Sequence, residues 1–234
     1  MTADPRLTSF ADGNALAEAL ASTVAARLAD AVEARGKAVL AVSGGTTPAR
    51  FFKVLSLKDL AWDKITITLV DERFVPPTSD RSNQKLVTEM LLQNKAAQSN
   101  FIGLYNETPN AEEGAKIAAQ AIAKLGQPFD VVILGMGGDG HTASFFPGGD
   151  RLSDAISPDQ PALVLPMHAE GAGEPRLTLT LPAIVNARFV ALHIEGAGKR
   201  TTLEAALGRG ATTDMPIRAI LRYEPIALEI FWAP

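Results

Sequence analysis

The sequence predicts an α/β protein with a mainly parallel sheet covered by helices on both faces. Three observations carry that expectation. Short apolar segments such as Val131–Leu134 have the length of buried strands. They alternate with segments of helical periodicity, the pattern of parallel strands joined by crossover helices. Glycine-rich and charged motifs follow these segments directly, at what would be the carboxyl ends of the strands, where ligands bind in such sheets.

The elements follow in order. Asn14 to Arg35 places Leu16, Leu20, Val24, Leu28 and Val32 at a spacing of four, an amphipathic helix stopped by Gly36. Ala38–Val42 reads as a short buried strand. It runs into Ser43-Gly44-Gly45-Thr46-Thr47-Pro48 and a second helix bearing Phe51, Phe52 and Leu55, with Pro48 fitting its first position. Ile65–Val70 is the next strand, ending in Asp71-Glu72-Arg73. Ser82 can cap a helix through Leu86, Met90 and Leu91, and Thr108-Pro109 opens another that stops at Gly126. Val131–Leu134 is a strand entering the stretch Gly135 to Gly140. Leu177, Leu179 and Leu181 alternate with threonines, as in a strand with one covered face. Phe189–Ile194 is a further strand, followed by Gly196-Ala197-Gly198-Lys199 and a helix through Leu207, and Ile226–Trp232 is the last strand. No repeat, charge block or low-complexity linker divides the chain, so residues 1–234 are expected to form a single domain.

With 47% hydrophobic and 21% charged residues among 234, the chain has the balance of a folded globular protein and not of a disordered one. A net charge of −4 gives no global pull toward nucleic acid or anionic lipid, while leaving room for a local basic pocket. The absence of cysteine removes disulfides, thiolate nucleophiles, zinc fingers and iron–sulfur sites together. The opening MTADPRLTSF lacks the basic stretch and apolar core of a signal peptide, and no apolar run approaches the ~20 residues of a membrane span. A cytoplasmic protein without nucleic-acid or membrane partners is expected, acting as a monomer.

The motifs carry the chemistry. Ser43 to Pro48 joins a strand to a helix with two glycines in the turn. Its backbone N–H groups and the helix N-terminus can cradle a phosphate or carboxylate, or the segment is an ordinary strand-to-helix turn. Ala41-Val42-Ser43-Gly44-Gly45 also resembles a weakened nucleophile elbow, which would make Ser43 the nucleophile of a Ser–Asp–His hydrolase. Gly135-Met136-Gly137-Gly138-Asp139-Gly140 matches a dinucleotide-binding pattern literally. The carboxylate of Asp139 sits in the loop that would meet a pyrophosphate, so no nucleotide is expected. These glycines instead let the backbone bend and present Asp139 and His141. Of three histidines, His193 lies within a strand and reads as structural, and His168 reads as solvated. His141 is the candidate base: a neutral imidazole, with an ordinary pKa of about 6.5, can take a proton from water while a nearby carboxylate orients it. Asp71, Glu72 and Arg73 end a strand at the same edge. Arg73, Arg176 and Lys199 together would make one positive pocket suited to a phosphorylated small molecule. No ligand-spaced cluster points to a metal.

These motifs, in this order, resemble those of the glucosamine-6-phosphate isomerase/6-phosphogluconolactonase family. The resemblance rests on Ser43 to Pro48, on Val70-Asp71-Glu72-Arg73-Phe74-Val75-Pro76, on Ser82-Asn83, and above all on Gly135 to Gly148 around Asp139-Gly140-His141-Thr142-Ala143-Ser144. Pro175-Arg176-Leu177-Thr178 and Gly196 to Lys199 extend it, so that it runs from about Ala38 to Leu207. It implies a Rossmann-like three-layer α/β/α fold, and hydrolysis of 6-phospho-D-glucono-1,5-lactone in the oxidative pentose phosphate route, also feeding the Entner–Doudoroff route. It implies no cofactor and no metal. The implied roles put Ser43, Gly44, Gly45, Thr46, Asp71, Arg176 and Lys199 around the substrate and its phosphate, with His141, Asp139 and Arg73 as the catalytic set. The family's deaminases resemble this chain at Gly44-Gly45-Thr46, Asp71-Glu72 and Asp139-Gly140-His141. They carry a catalytic glutamate shortly after the histidine. Here Phe146 occupies that place, which favours the lactonase branch.

Overall fold

The computed structural model describes residues 6–234. The expectation about the N-terminal leader falls in part on residues 1–5, outside the described residues. In chain order the elements are β1 (Arg6–Ser9), α1 (Gly13–Arg35), β2 (Ala38–Val42), α2 (Ala49–Ser56), β3 (Ile65–Leu69), β4 (Asp71–Arg73), α3 (Asn83–Met90), β5 (Asn100–Ile102) and α4 (Ala111–Leu125). There follow β6 (Val131–Leu134), α5 (Leu152–Ala155), β7 (Val164–Met167), β8 (Arg176–Leu179), α6 (Leu181–Val185), β9 (Val190–Glu195), α7 (Ala197–Leu207), α8 (Arg218–Leu221) and β10 (Glu229–Ala233).

Seven strands form one parallel sheet in the order β1-β10-β9-β6-β2-β3-β5. Every residue of β2 and β6 is buried, which is why these central strands read as continuous apolar runs without alternation. From β2 the chain winds outward through β3 to β5, then returns to the other side of β2 with β6 and winds outward through β9 and β10. The direction of winding therefore reverses between β2 and β6. A crevice opens outside the carboxyl ends of strands at such a point. Ser43 follows β2 there, and Gly135 follows β6.

The first helix matches its expectation. Asp12 caps its N-terminus by accepting from the Asn14 and Ala15 N–H groups, and Gly36 ends it at φ 72. The second helix begins one residue later than expected, with Pro48 as the capping residue and Ala49 as the first helical one. Helix α4 opens at Asn110, whose side chain accepts from Glu113 N, and not at Thr108-Pro109. The stretch Leu177 to Leu181 is not one strand. β8 ends at Leu179 with all of its residues buried, and Leu181 begins α6.

A larger departure concerns Asp71-Glu72-Arg73. These residues do not close β3. They form β4, the edge of a second, antiparallel sheet in the order β4-β8-β7. Glu72 explains why three charged residues pair here. Its fully buried carboxylate accepts from the N–H groups of Arg73, Asn83 and Gln84 at 2.7–2.8 Å and from Ser82 Oγ at 3.0 Å. It thus ties β4 to the N-terminus of α3, where unpaired donors and the helix dipole favour negative charge. Burial pushes its pKa up from 4.5, and the four donors oppose that rise.

Candidate active site

The loop after β6 holds the His141–Asp139 pair. Asp139 Oδ1 lies 2.6 Å from His141 Nδ1 and accepts from the His141 backbone N–H at 3.1 Å. The charge-assisted contact with the ring is the main reason the Asp139 carboxyl drops from 3.8 to about 2. With Asp139 accepting, the neutral ring carries its proton on Nδ1 and keeps the Nε2 lone pair free. Only glycine fits at position 137, because a Cβ there would lie 2.1 Å from His141 Nδ1 and 2.5 Å from Asp139 Oδ1. The loop is fixed from outside by two bonds: Ile217 N–H donates to Gly140 O at 2.8 Å, and Thr202 Oγ1 to Gly138 O at 3.3 Å.

The chain then reverses over Thr142 to Phe145, with Ala143 in the left-handed region at φ 48. A non-glycine residue held there signals a turn fixed by its surroundings. Ser144, fully buried, donates its hydroxyl to Asp71 Oδ2 at 2.6 Å. Phe146 comes back beneath the imidazole, its ring centroid 4.4 Å from that of His141.

The register of β4 against β8 sets Arg73 directly opposite Arg176. Like charges facing each other across strands destabilise a sheet unless an anion lies between them. Arg73 Nη1 donates to Arg81 O at 2.5 Å, and Arg176 Nη2 to Ala172 O at 2.8 Å. The Nε of each is buried without a partner. Arg176 also stands 3.9 Å from Asp71 Oδ2. Burial lowers its pKa most; the attraction of Asp71 works against this, and the charge of Arg73 adds to the lowering.

A cleft of about 270 Å³ at the β2/β6 crevice brings most of the sequence-derived residues together. Ser43, Gly44, Gly45, Thr46, Asp71, Arg73, His141, Arg176 and Lys199 all line it. Asp139 does not; it stands behind His141. Among the described residues the N–H groups of Gly44, Gly45 and Thr46 have no backbone partner, whereas that of Ser43 donates to Ile133 O at 3.0 Å. Gly44 is packed so closely on Asn83 that a Cβ would lie 1.9 Å from its Oδ1.

Ser43 is not a nucleophile poised by a base. Its hydroxyl donates to Ile133 O at 3.1 Å and accepts from Gly135 N–H at 3.0 Å, bridging the ends of β2 and β6. The serine-hydrolase alternative fails on that geometry. His168, read as solvated, is half-buried as a residue with its side chain 42% exposed, and it pairs with Asp150 at 3.2 Å. His193 was expected to be purely structural. It is 98% buried with Nε2 on Glu195 at 3.1 Å, yet it also lines the cleft. Asn83, Ala143 and Gly137 line the cleft too. Asn83 was legible only as part of a helix start.

Fold and cleft together define an α/β protein with a histidine, backed by a carboxylate, on the wall of a cleft that also carries a glycine-rich loop, two arginines and a lysine. The family model described as glucosamine-6-phosphate isomerases/6-phosphogluconolactonase matches residues 11–232. A 6-phosphogluconolactonase of Rhizobium meliloti (strain 1021) is 56% identical over 225 residues, covering 96% of this chain and 97% of that protein. One of Mesorhizobium japonicum is 53% identical, covering 97% of this chain and 94% of its own. The crystal structure of a 6-phosphogluconolactonase from Shewanella baltica OS155 superposes over the whole of both chains with a TM-score of 0.97 at 42% identity. The chain belongs to the glucosamine-6-phosphate isomerase/6-phosphogluconolactonase family.

Proposed function

We propose that the protein hydrolyses 6-phospho-D-glucono-1,5-lactone to 6-phospho-D-gluconate, the step the similar lactonases are named for, with His141 as general base. The observation that carries the reading is the pairing of His141 with Asp139 at 2.6 Å on the wall of a cleft that also holds Arg73 and Arg176 face to face. In this reading Gly44, Gly45 and Thr46 contribute backbone donors to the 6-phosphate, together with Lys199 in the first turn of α7 and Arg176, while Ser43 braces the loop. Nε2 of His141 removes a proton from water as the oxygen attacks the lactone carbonyl. Asp139 holds the ring in the required tautomer and stabilises the imidazolium that forms. Arg73 faces the developing oxyanion or the sugar hydroxyls. The imidazolium returns its proton to the ring oxygen as the bond from the carbonyl carbon to that oxygen breaks, leaving a free hydroxyl and a carboxylic acid, which loses its proton to solvent to give the carboxylate.

No step needs a metal or nucleotide; among the described residues no group of three His, Cys, Asp or Glu side chains is placed to hold a metal ion. No helix among them is long and apolar enough to cross a membrane. The reading treats residues 1–234 as one domain, for which the buried cluster shared by both sheets among the described residues speaks, and takes the protein to be cytoplasmic and monomeric.

The test is a coupled assay in which glucose-6-phosphate dehydrogenase generates the lactone and its disappearance is followed with and without the protein. Acceleration is expected, with no turnover of glucosamine-6-phosphate. His141→Asn should lower kcat by about 10²–10⁴, the usual share of a positioned base. Binding of the lactone without acceleration would make the protein a sensor and end the proposal. Wild-type turnover by His141→Asn would remove the assigned base.

A further inference from the structure

Phe146 is 3% exposed and has no polar group, yet it touches both charged partners of the cleft. Its ring centroid lies 4.4 Å from that of His141 with the planes at 34°, and the Arg176 guanidinium lies 5.2 Å from the same centroid. The preceding turn is built to bring it there. Ala143 takes a left-handed conformation, Phe145 N–H closes the turn on Thr142 O at 2.9 Å, and Ser144 is anchored on buried Asp71. A single contact from Asp139 to Nδ1 fixes one atom of the imidazole and leaves the ring free to swing about it. An aromatic face at stacking distance removes that freedom.

We propose that Phe146 is a positioning residue for His141: its ring fixes the plane of the imidazole, offers an aromatic face to the imidazolium, and holds the Arg176 cation at a set distance from it. The inference rests on the reading of His141 as the base. An imidazolium gains from an aromatic face and loses from a nearby guanidinium, so the ring acts on the charged form in two ways. The other charged groups around His141 are Asp139 on its own loop, Asp71 and Arg73 on β4, Arg176 on β8 and Lys199 on α7. Replacing Phe146 by an uncharged residue of similar volume leaves the charge of each of these groups as it is, and alters only the contact with Arg176.

Phe146→Met keeps the volume and removes the ring; Phe146→Tyr keeps the ring. In Phe146→Met, kcat should fall about ten- to thirtyfold while KM stays within about threefold, since no phosphate donor is lost. The acid limb of the kcat/KM profile, and the His141 titration followed by NMR without substrate, should both move to lower pH, because the imidazolium loses its aromatic face. Phe146→Tyr should restore rate and titration. A purely structural role would lower the yield of folded protein and leave the titration of the folded fraction in place. Because the NMR titration reads folded molecules alone, it decides the matter even for a poorly folding variant. The inference is overturned if Phe146→Met leaves either kcat or the His141 titration at its wild-type value, or if Phe146→Tyr loses rate as Phe146→Met does. His141→Asn is assayed in parallel. Wild-type turnover by that variant removes the base assignment itself, whereas an inactive His141→Asn beside a silent Phe146→Met removes only the role given to the ring.

Discussion

Asp139→Asn isolates the charge behind His141. The carboxyl falls from 3.8 to about 2 in the folded protein, which converts to about 2.4 kcal/mol at 1.36 kcal/mol per pKa unit. The side chain is 46% exposed, so solvent screening cuts that to about 1–1.5 kcal/mol. An asparagine oxygen can still accept from His141 Nδ1–H and from the His141 backbone N–H, which bonds the same Oδ1 at 3.1 Å. The tautomer therefore survives and mainly the charge is lost. The expected fall in kcat is about tenfold, from the weaker support of the imidazolium that forms, and KM should barely move because Asp139 does not line the cleft. The coupled lactone assay reads this directly. A depressed carboxyl also stabilises the fold above its unfolded value near 3.8, and that contribution is lost as pH falls through about 2. Thermal unfolding at pH 7 should therefore place the variant about 1 kcal/mol below wild type, with the gap closing toward pH 2. A loss of rate beyond a hundredfold would mean that the asparagine turns and reverses the tautomer. No loss at all would mean that Asp139 does not act on the imidazole.

Ser43→Ala should reduce stability by about 1–3 kcal/mol, because Gly135 N–H loses its acceptor in a buried setting, yet keep kcat within about tenfold; denaturant unfolding beside the assay separates the two effects, and covalent labelling of Ser43 by a fluorophosphonate would restore the serine-hydrolase alternative. Arg176→Ala and Lys199→Ala should raise KM for the lactone about ten- to a hundredfold, the worth of a charge-assisted contact to phosphate, and equal use of phosphorylated and unphosphorylated lactone by wild type would remove the reason for placing a phosphate there. Glu72→Gln should destabilise the fold by about 1–3 kcal/mol, since its amide nitrogen would face donors that now meet a carboxylate; an unchanged melting temperature would show that the four bonds to Glu72 contribute nothing net.

The parallel sheet and the site motifs were legible because both leave local marks. A buried central strand must be apolar throughout, as Val131–Leu134 is, and residues that bind or react must sit where a strand ends and the backbone can turn. The second sheet left no such mark. β4 is three residues of Asp-Glu-Arg, a poor strand by any local preference, and what holds it is Glu72 on the N-terminus of α3 and the pairing with β8 about a hundred residues onward. The bridging role of Ser43 was hidden for the same reason: its partners at Ile133 and Gly135 lie some ninety residues away, so the sequence offered an anion cradle, an ordinary turn or a weakened nucleophile elbow, and no bridge. Phe146 could be read only as a missing carboxylate, because stacking on His141 depends on a turn closed through Asp71.

The same distant pairing explains the pocket's charge. Separately, Arg73 and Arg176 are unremarkable basic residues on a chain of net charge −4. Their opposition exists only in the β4–β8 register, which no local pattern specifies. A sheet selected for stability alone would set an acid against one of them, and Asp71, the nearest acid, stands at 3.9 Å from Arg176 with its Oδ2 already taken by Ser144. Asp71 offsets the opposition at Arg176, its attraction outweighing the effect of Arg73 there. In the proposed reading a substrate phosphate adds a further counter-charge to the pair. On this argument replacing either arginine with a neutral residue weakens substrate binding.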